Sequence, residues 1–241
     1  TFTQATFTAV TTVGDAELNG LVSAQSRSNG VDQMAIEVSS KAKSIGRALQ
    51  TGMATGTGTS PQLNSLHSMC AAGQYTTASA GQALSFALLD LLCDLVKAKD
   101  GVVDFIMMPG RTLRSYKTLV RALGGVNEVV VYTMPDGTTR NVSVYEGIPI
   151  FQNDFLSVAE TANGAALTGG ALSSVYAGCW DDGTQKVGLS MIYPASVQMG
   201  IQVTPIGELE TKDESVVRVK SYSNFAMFNR KGLARLPSIN N

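Results

Sequence analysis

The sequence predicts an α+β protein, on three observations. Apolar residues recur at helical spacing over 31–53, 82–99 and 111–123. From Val129 onward the period changes to two, with turn residues between the apolar runs. No stretch repeats along the 241 residues, so the chain reads as one large domain or two small interleaved ones.

Residues 1–13 alternate Phe, Thr and Val with small residues, which predicts a strand, and Gly14-Asp15 marks a turn after it. Val31, Met34, Val38, Ala42, Ile45, Leu49 and Met53 fall on one stripe of a long helix, with Ser28 or Asn29 placed to cap it. Gly52–Ser60 is rich in Gly and Thr and reads as a linker. A buried helix over Gln82–Lys99 ends at Asp100-Gly101, and an apolar strand follows over Val102–Met108. Pro109-Gly110 opens a third helix, Arg111–Leu123, with Leu113, Tyr116, Val120 and Leu123 inward and Gly124-Gly125 as its stop. Val129–Tyr132 and Thr139–Tyr145 flank Pro135-Asp136-Gly137 as a hairpin, and Gly147–Ile150 continues an apolar strand. Residues 157–172 read as a loop. Ser174–Trp180 and Val187–Tyr193 read as a second pair around Asp181-Asp182-Gly183. Strands over Ile201–Leu209, Ser215–Phe228 and Leu233–Leu236 complete the reading, the last after a turn at Arg230-Lys231-Gly232.

Charged residues make up 15% of the chain, against about 25% in an ordinary soluble domain. Much of the surface is therefore neutral and cheap to desolvate, which suits packing against other copies. The formal net charge of −1 argues against a sequence-specific DNA binder. Cys70, Cys93 and Cys179 give neither a disulfide framework nor a zinc spacing, and point to a reducing compartment such as a bacterial cytoplasm. No apolar run reaches membrane-spanning length, since Asp90 and Asp94 interrupt the longest. The start lacks both a signal peptide and Met, which reads as a processed product or a fragment.

Motifs for chemistry are sparse. Any Ser-His-Asp or Cys-His device must use His67, the one histidine, and no Gly-x-Ser-x-Gly elbow accompanies it. His67 and Cys70 lack a second ligand pair, so no metal is expected. Gly56 and Gly58 complete no nucleotide fingerprint, and no cofactor is expected. Asp181-Asp182 and Asp213-Glu214 are adjacent carboxylates, which point apart and read as solvated turns. Arg111, Arg114, Lys117 and Arg121 share the outer face of the third helix. They read either as a solvated face or as contacts to phosphates or to acidic patches on neighbouring subunits.

Order and spacing together carry a resemblance. TFTQATFTAVTTVGDAELNGLVSAQ is similar to a returning arm of an extended loop, and SRSNGVDQMAIEVSSKAKSIGRALQTG to a long spine helix. LLDLLCDLVKAKDGVVDFIMMPGRTLRSYKTLVRALGG is similar to a helix–strand–helix axial core. YEGIPIFQNDF resembles the strand after that core, and RVKSYSNFAMFNRKGLARLPSI the closing strands. In these the chain resembles the major capsid proteins of tailed bacteriophages and prophages, which share the Hong Kong 97-type fold. The family's N-terminal arm and the outgoing half of its extended loop have no counterpart here.

The resemblance implies a spine helix packed on antiparallel strands, with an axial domain of mixed sheet and flanking helices. It implies a returning arm over 1–25, a peripheral domain over 26–80, an axial domain over 81–198, and closing peripheral strands over 199–241. It also implies a structural role with no catalysis. Copies would form hexamers and pentamers of a virion shell around double-stranded DNA, assembled in the bacterial host cytoplasm. DNA contact would be non-specific, with scaffold, portal or decoration proteins as further partners and no membrane. Arg111, Arg114, Lys117 and Arg121 are the expected inter-subunit or DNA-facing residues. Three other readings stand beside it: an encapsulin-type nanocompartment shell, a small hydrolase using His67, and a β-rich binding module without the long helix.

Overall fold

The computed structural model describes residues 7–240 except 60, 77–80, 100, 127, 134–136, 185, 186 and 198. Residues 1–6 of the first expected strand, Asp100, and the Pro135-Asp136 corner lie outside the described residues. In chain order the elements are β1 (Val10–Asn19), α1 (Gly20–Ser28), α2 (Gln33–Thr55), α3 (Leu66–Met69), β2 (Gln82–Ala83), α4 (Phe86–Lys97), β3 (Phe105–Met108), α5 (Gly110–Ala122), β4 (Val129–Thr133), β5 (Thr139–Tyr145), β6 (Ile148–Gln152), β7 (Ser173–Gly178), β8 (Leu189–Ile192), β9 (Gln202–Glu208), β10 (Glu214–Met227) and β11 (Leu233–Asn240).

The long helix is α2, whose 23 residues span about 34 Å at 1.5 Å per residue. Its cap is Asp32, whose carboxylate accepts from the Ala35 N–H; neither Ser28 nor Asn29 serves, because both belong to or abut α1. The predicted stripe has the right phase but is only partly covered. Ile45 is buried, Val31 is exposed, and the other five positions are half-buried. The supporting surface is a sheet one strand thick, made by β1 and β10, which pair antiparallel from Val10↔Ser223 to Asn19↔Glu214. That ladder overrides the expected turn at Gly14-Asp15. Both residues lie within it, and Asp15 accepts two hydrogen bonds of 2.8 Å from Arg218 on the facing strand. β9 pairs the other edge of β10, and β8 pairs its far end.

The expected linker at 52–60 is helix as far as Thr55 and then a packed corner, with Ser60 outside the described residues. A Cβ on Gly56 would lie 2.1 Å from the Leu63 carbonyl oxygen, so glycine there permits a close backbone approach. The helix expected from Gln82 starts at Phe86, because Gln82 and Ala83 pair with the end of β11.

A seven-stranded mixed sheet runs in the order β2-β11-β7-β3-β6-β5-β4. β3 is buried at all four positions because both faces of the sheet are covered. On one face Ile106, Met108, Ile150, Val175 and Leu236 pack with Leu89, Leu92 and Val96 of α4 and with Leu113 and Tyr116 of α5. On the other, Phe105, Met107, Tyr176 and Leu233 pack with Ala54, Leu66, Met69 and Met227, which joins this sheet to the spine-helix layer.

Three expectations change in this sheet. Gly147 does not continue a strand: Glu146 and Gly147 have φ of 49° and 81°, and the chain reverses there between the paired residues Tyr145 and Ile148. Ser174–Trp180 and Val187–Tyr193 do not form a hairpin. β7 has both edges taken, by β3 and β11, while β8 joins β10, leaving a single bridge between Trp180 and Leu189 among the described residues. The last strand is longer than Leu233–Leu236 and sits inside the seven-stranded sheet beside β7, not with the closing peripheral strands.

Candidate functional site

Among the described residues, exposed apolar side chains gather in three groups. Val129, Val130, Val131 and Tyr132 of the edge strand β4 are all exposed, on both faces of the strand. Leu123 and Val126, after α5, are 74% and 89% exposed, so Leu123 is not part of the helix's inner stripe. The edge strand β9, with Met199 before it, exposes Val203 and Ile206. Leu21, Val22, Val31 and Ile36 form the third patch, over α1 and the start of α2. Open β edges carrying apolar residues are surfaces that solitary proteins blunt. β9 is blunted by Pro205, Glu208 and a register irregularity opposite Pro205–Gly207, whereas β4, VVVYT, carries neither proline nor charge.

The helix α5 separates two unlike surfaces. On its outer flank Arg111, Arg114 and Arg121 are exposed and Lys117 is half-buried, as the spacing predicts. Arg111 and Arg114 border a shallow groove of about 530 Å³ that reaches Asn240. The other flank carries Tyr116, which meets Phe86 and Tyr145 with ring centroids 6.1 and 6.3 Å away; Phe86 and Tyr145 lie 6.0 Å apart. The three rings floor a hollow of about 260 Å³ with Glu128 and Glu146 in its wall. The Tyr116 hydroxyl donates to the Val144 carbonyl at 2.9 Å, and that of Tyr145 donates to the Asp90 carboxylate. Burial, then the Glu128 charge, pushes the Tyr116 phenol up. Burial, the Asp90 hydrogen bond, and the Asp90 and Glu146 charges do the same to Tyr145. The cationic flank was legible from i, i+3 spacing. The hollow was not, because its rings come from three distant segments.

A buried ion pair ties loop 157–172 to the sheet. Arg235, 5% exposed, donates from Nη2 to Glu160 Oε2 at 3.0 Å, and Glu160 is 2% exposed. Ser174 Oγ donates to the same carboxylate oxygen at 2.5 Å and accepts from Arg235 Nε at 3.0 Å. The guanidinium lies 5.9 Å from the Tyr176 ring centroid.

His67 lies on α3 with its Nδ1 buried and unpartnered. Burial, then the Arg235 charge, lowers it to about 4. The neighbouring Cys70 thiol is pushed up to about 11 by burial, the opposite of an activated nucleophile. Its sulfur faces the backbone carbonyls of Gln74 and Leu233. The acidic pairs are not brought together across a cleft. Asp182 accepts from the Thr184 N–H within its own turn, and the Gly20 N–H donates to the Asp213 carbonyl at 2.9 Å. Among the described residues no group of three or more His, Cys, Asp or Glu could hold a metal ion, and no helix is long and apolar enough to cross a membrane.

No protein-family model and no curated protein matches the sequence. Solved structures do share its fold along nearly the whole chain. The holo-SrpI encapsulin complex from Synechococcus elongatus PCC 7942 is similar at a TM-score of 0.74 and 16% identity, over 96% of this chain and 74% of that one. The capsid of a native GTA particle is similar at 0.62 and 10% identity, over 96% of this chain and 73% of that one. The capsid of Myoviridae phage XM1 gives 0.60 and 13% over 96% and 74%.

Proposed function

We propose that this chain, which has the Hong Kong 97-like capsid fold, builds a closed icosahedral shell from copies of itself, as a structural subunit and not as an enzyme. The observation that carries the reading is the likeness, over 96% of the chain, to subunits of three shells. The surface supports it independently, because the exposed apolar residues of β4, β9 and α1–α2 offer area for contact with other copies. The reactive groups support it too, since His67 Nδ1 has no partner and Cys70 is held protonated.

The finer reading is a phage-type virion capsid of hexamers and pentamers around double-stranded DNA, assembled in a bacterial cytoplasm. A phage capsid and a GTA capsid among the similar structures support it. The second reading is a nanocompartment around protein cargo, favoured by the TM-score of 0.74 to the encapsulin. Particles purified from an expressing bacterium and imaged by electron microscopy test both. Nuclease-protected DNA inside supports the capsid, and a co-purified protein in fixed proportion supports the compartment. A chain that stays monomeric at high concentration overturns the shell.

A further inference from the structure

We infer that the aromatic hollow on one flank of α5 receives the cationic flank of α5 from a second copy, so that copies join head to tail. The inference rests on the shell reading and names one of its contacts.

The hollow is shaped for a cation on an apolar stem. Phe86, Tyr116 and Tyr145 supply its floor, and Glu128 and Glu146 stand in its wall, with Asp90 behind at the Tyr145 hydroxyl. No Lys or Arg lines it. Tyr116 and Tyr145, 4% and 8% exposed, close the floor from beneath, and the exposed carboxylates Glu128 and Glu146 at the rim supply the attraction for a cation. Glu146 is exposed at the tip of the β5–β6 turn, where a φ of 49° belongs to the two-residue reversal. Leu123 and Val126 at the rim, 74% and 89% exposed, offer apolar surface to the stem of an incoming side chain.

The matching chemistry is on the same helix. α5 carries Arg111, Arg114, Lys117 and Arg121 and no carboxylate. At 100° per residue these cations centre roughly 150° around the helix from Tyr116, Val120 and Leu123. Donor and acceptor therefore face different directions and cannot meet within one copy. A contact between unlike patches repeats with each added copy, and where its rotation closes it makes a ring, the geometry a capsomer needs.

Two exposed charge-reversal pairs test this in the full chain: Glu128→Lys with Glu146→Lys, and Arg114→Glu with Arg121→Glu. Each pair alone raises the concentration for half-assembly at least about tenfold. Combining the two reversals in one chain restores assembly, because its reversed hollow then matches its reversed helix in rings of any size. Raising salt from about 0.05 to 0.5 M weakens wild-type assembly. If a melting curve shows that a reversed pair has not folded, E128Q with E146Q replaces it; a smaller loss is then expected, and wild-type assembly overturns the contact. Particles that form as in wild type with either reversal, or a combined variant that assembles no better than either pair alone, also overturn it. So does an Arg114→Glu, Arg121→Glu variant that loses only its nucleic acid, which would assign the flank to phosphates. A wild-type chain that never associates overturns the shell reading and this contact together.

Discussion

Glu160→Gln tests whether the buried ion pair holds loop 157–172 onto the sheet. The change keeps the shape and removes the charge that balances Arg235. The guanidinium is 5% exposed, so water does not replace the lost carboxylate. It cannot swing away, because a hydrogen atom's worth of space at Gly164 is all that separates it from the loop: a Cβ there would lie 1.5 Å from Nη2. Breaking one partner of such a pair costs about 3–5 kcal/mol. For a chain of this size each kcal/mol moves the melting temperature by roughly 2–4 °C, so the expected fall is about 6–20 °C. Replacing both partners, Glu160→Met with Arg235→Met, removes charge and counter-charge together and should cost much less than either single change. Urea denaturation below the association concentration, run as a double-mutant cycle, reads the coupling. A Glu160→Gln variant within about 1 kcal/mol of wild type, or strictly additive single costs, refutes the reasoning.

Ile45→Asp should unfold the spine layer, because Ile45 is 4% exposed, whereas Val38→Asp at a half-buried position should cost clearly less by thermal melting. Gly56→Ala drives a Cβ to 2.1 Å from the Leu63 carbonyl and should cost about 1–3 kcal/mol, while Gly46→Ala meets nothing within 4 Å and should stabilise α2 by about 0.5–1 kcal/mol in the same denaturation assay. His67 has its folded value lowered from 6.5 to about 4, so the unfolded chain takes up the proton first. Stability should therefore fall as pH drops from about 6.5 to 4, and the fall in melting temperature should be shallower in His67→Gln. Val130→Lys on the open edge of β4 should leave the melting temperature within about 2 °C and reduce association measured by light scattering, since Val130 is 51% exposed.

What was legible in the sequence was local. The phases of α2 and α5 follow from apolar spacing, and β3 follows from a short apolar run after a helix stop. What was not legible was pairing between distant segments. Gly14-Asp15 has turn composition, and only pairing with β10, far along the chain, makes it strand. Arg235 stands between apolar neighbours and reads as an outward charge. Its burial depends on Glu160, which lies in a stretch that reads as loop. The Glu146-Gly147 reversal did carry a local signal, a polar residue and a glycine between two apolar runs. The apolar run after it masked that signal.

The place of β11 has a consequence for how the chain comes to be made. It lies between β7 and β2, and α4 packs across it. While residues 233–240 are still unmade, one side of β7 and the underside of α4 have nothing to cover them. The open edge of β4 has been synthesised by then. The sticky margin of the molecule thus exists before its interior can close, and completion of the seven-stranded sheet waits on the pairing of β11 with the distant β2. Emerging polypeptides are most at risk of clumping in that interval, and slowing translation just upstream of Leu233 should lengthen it.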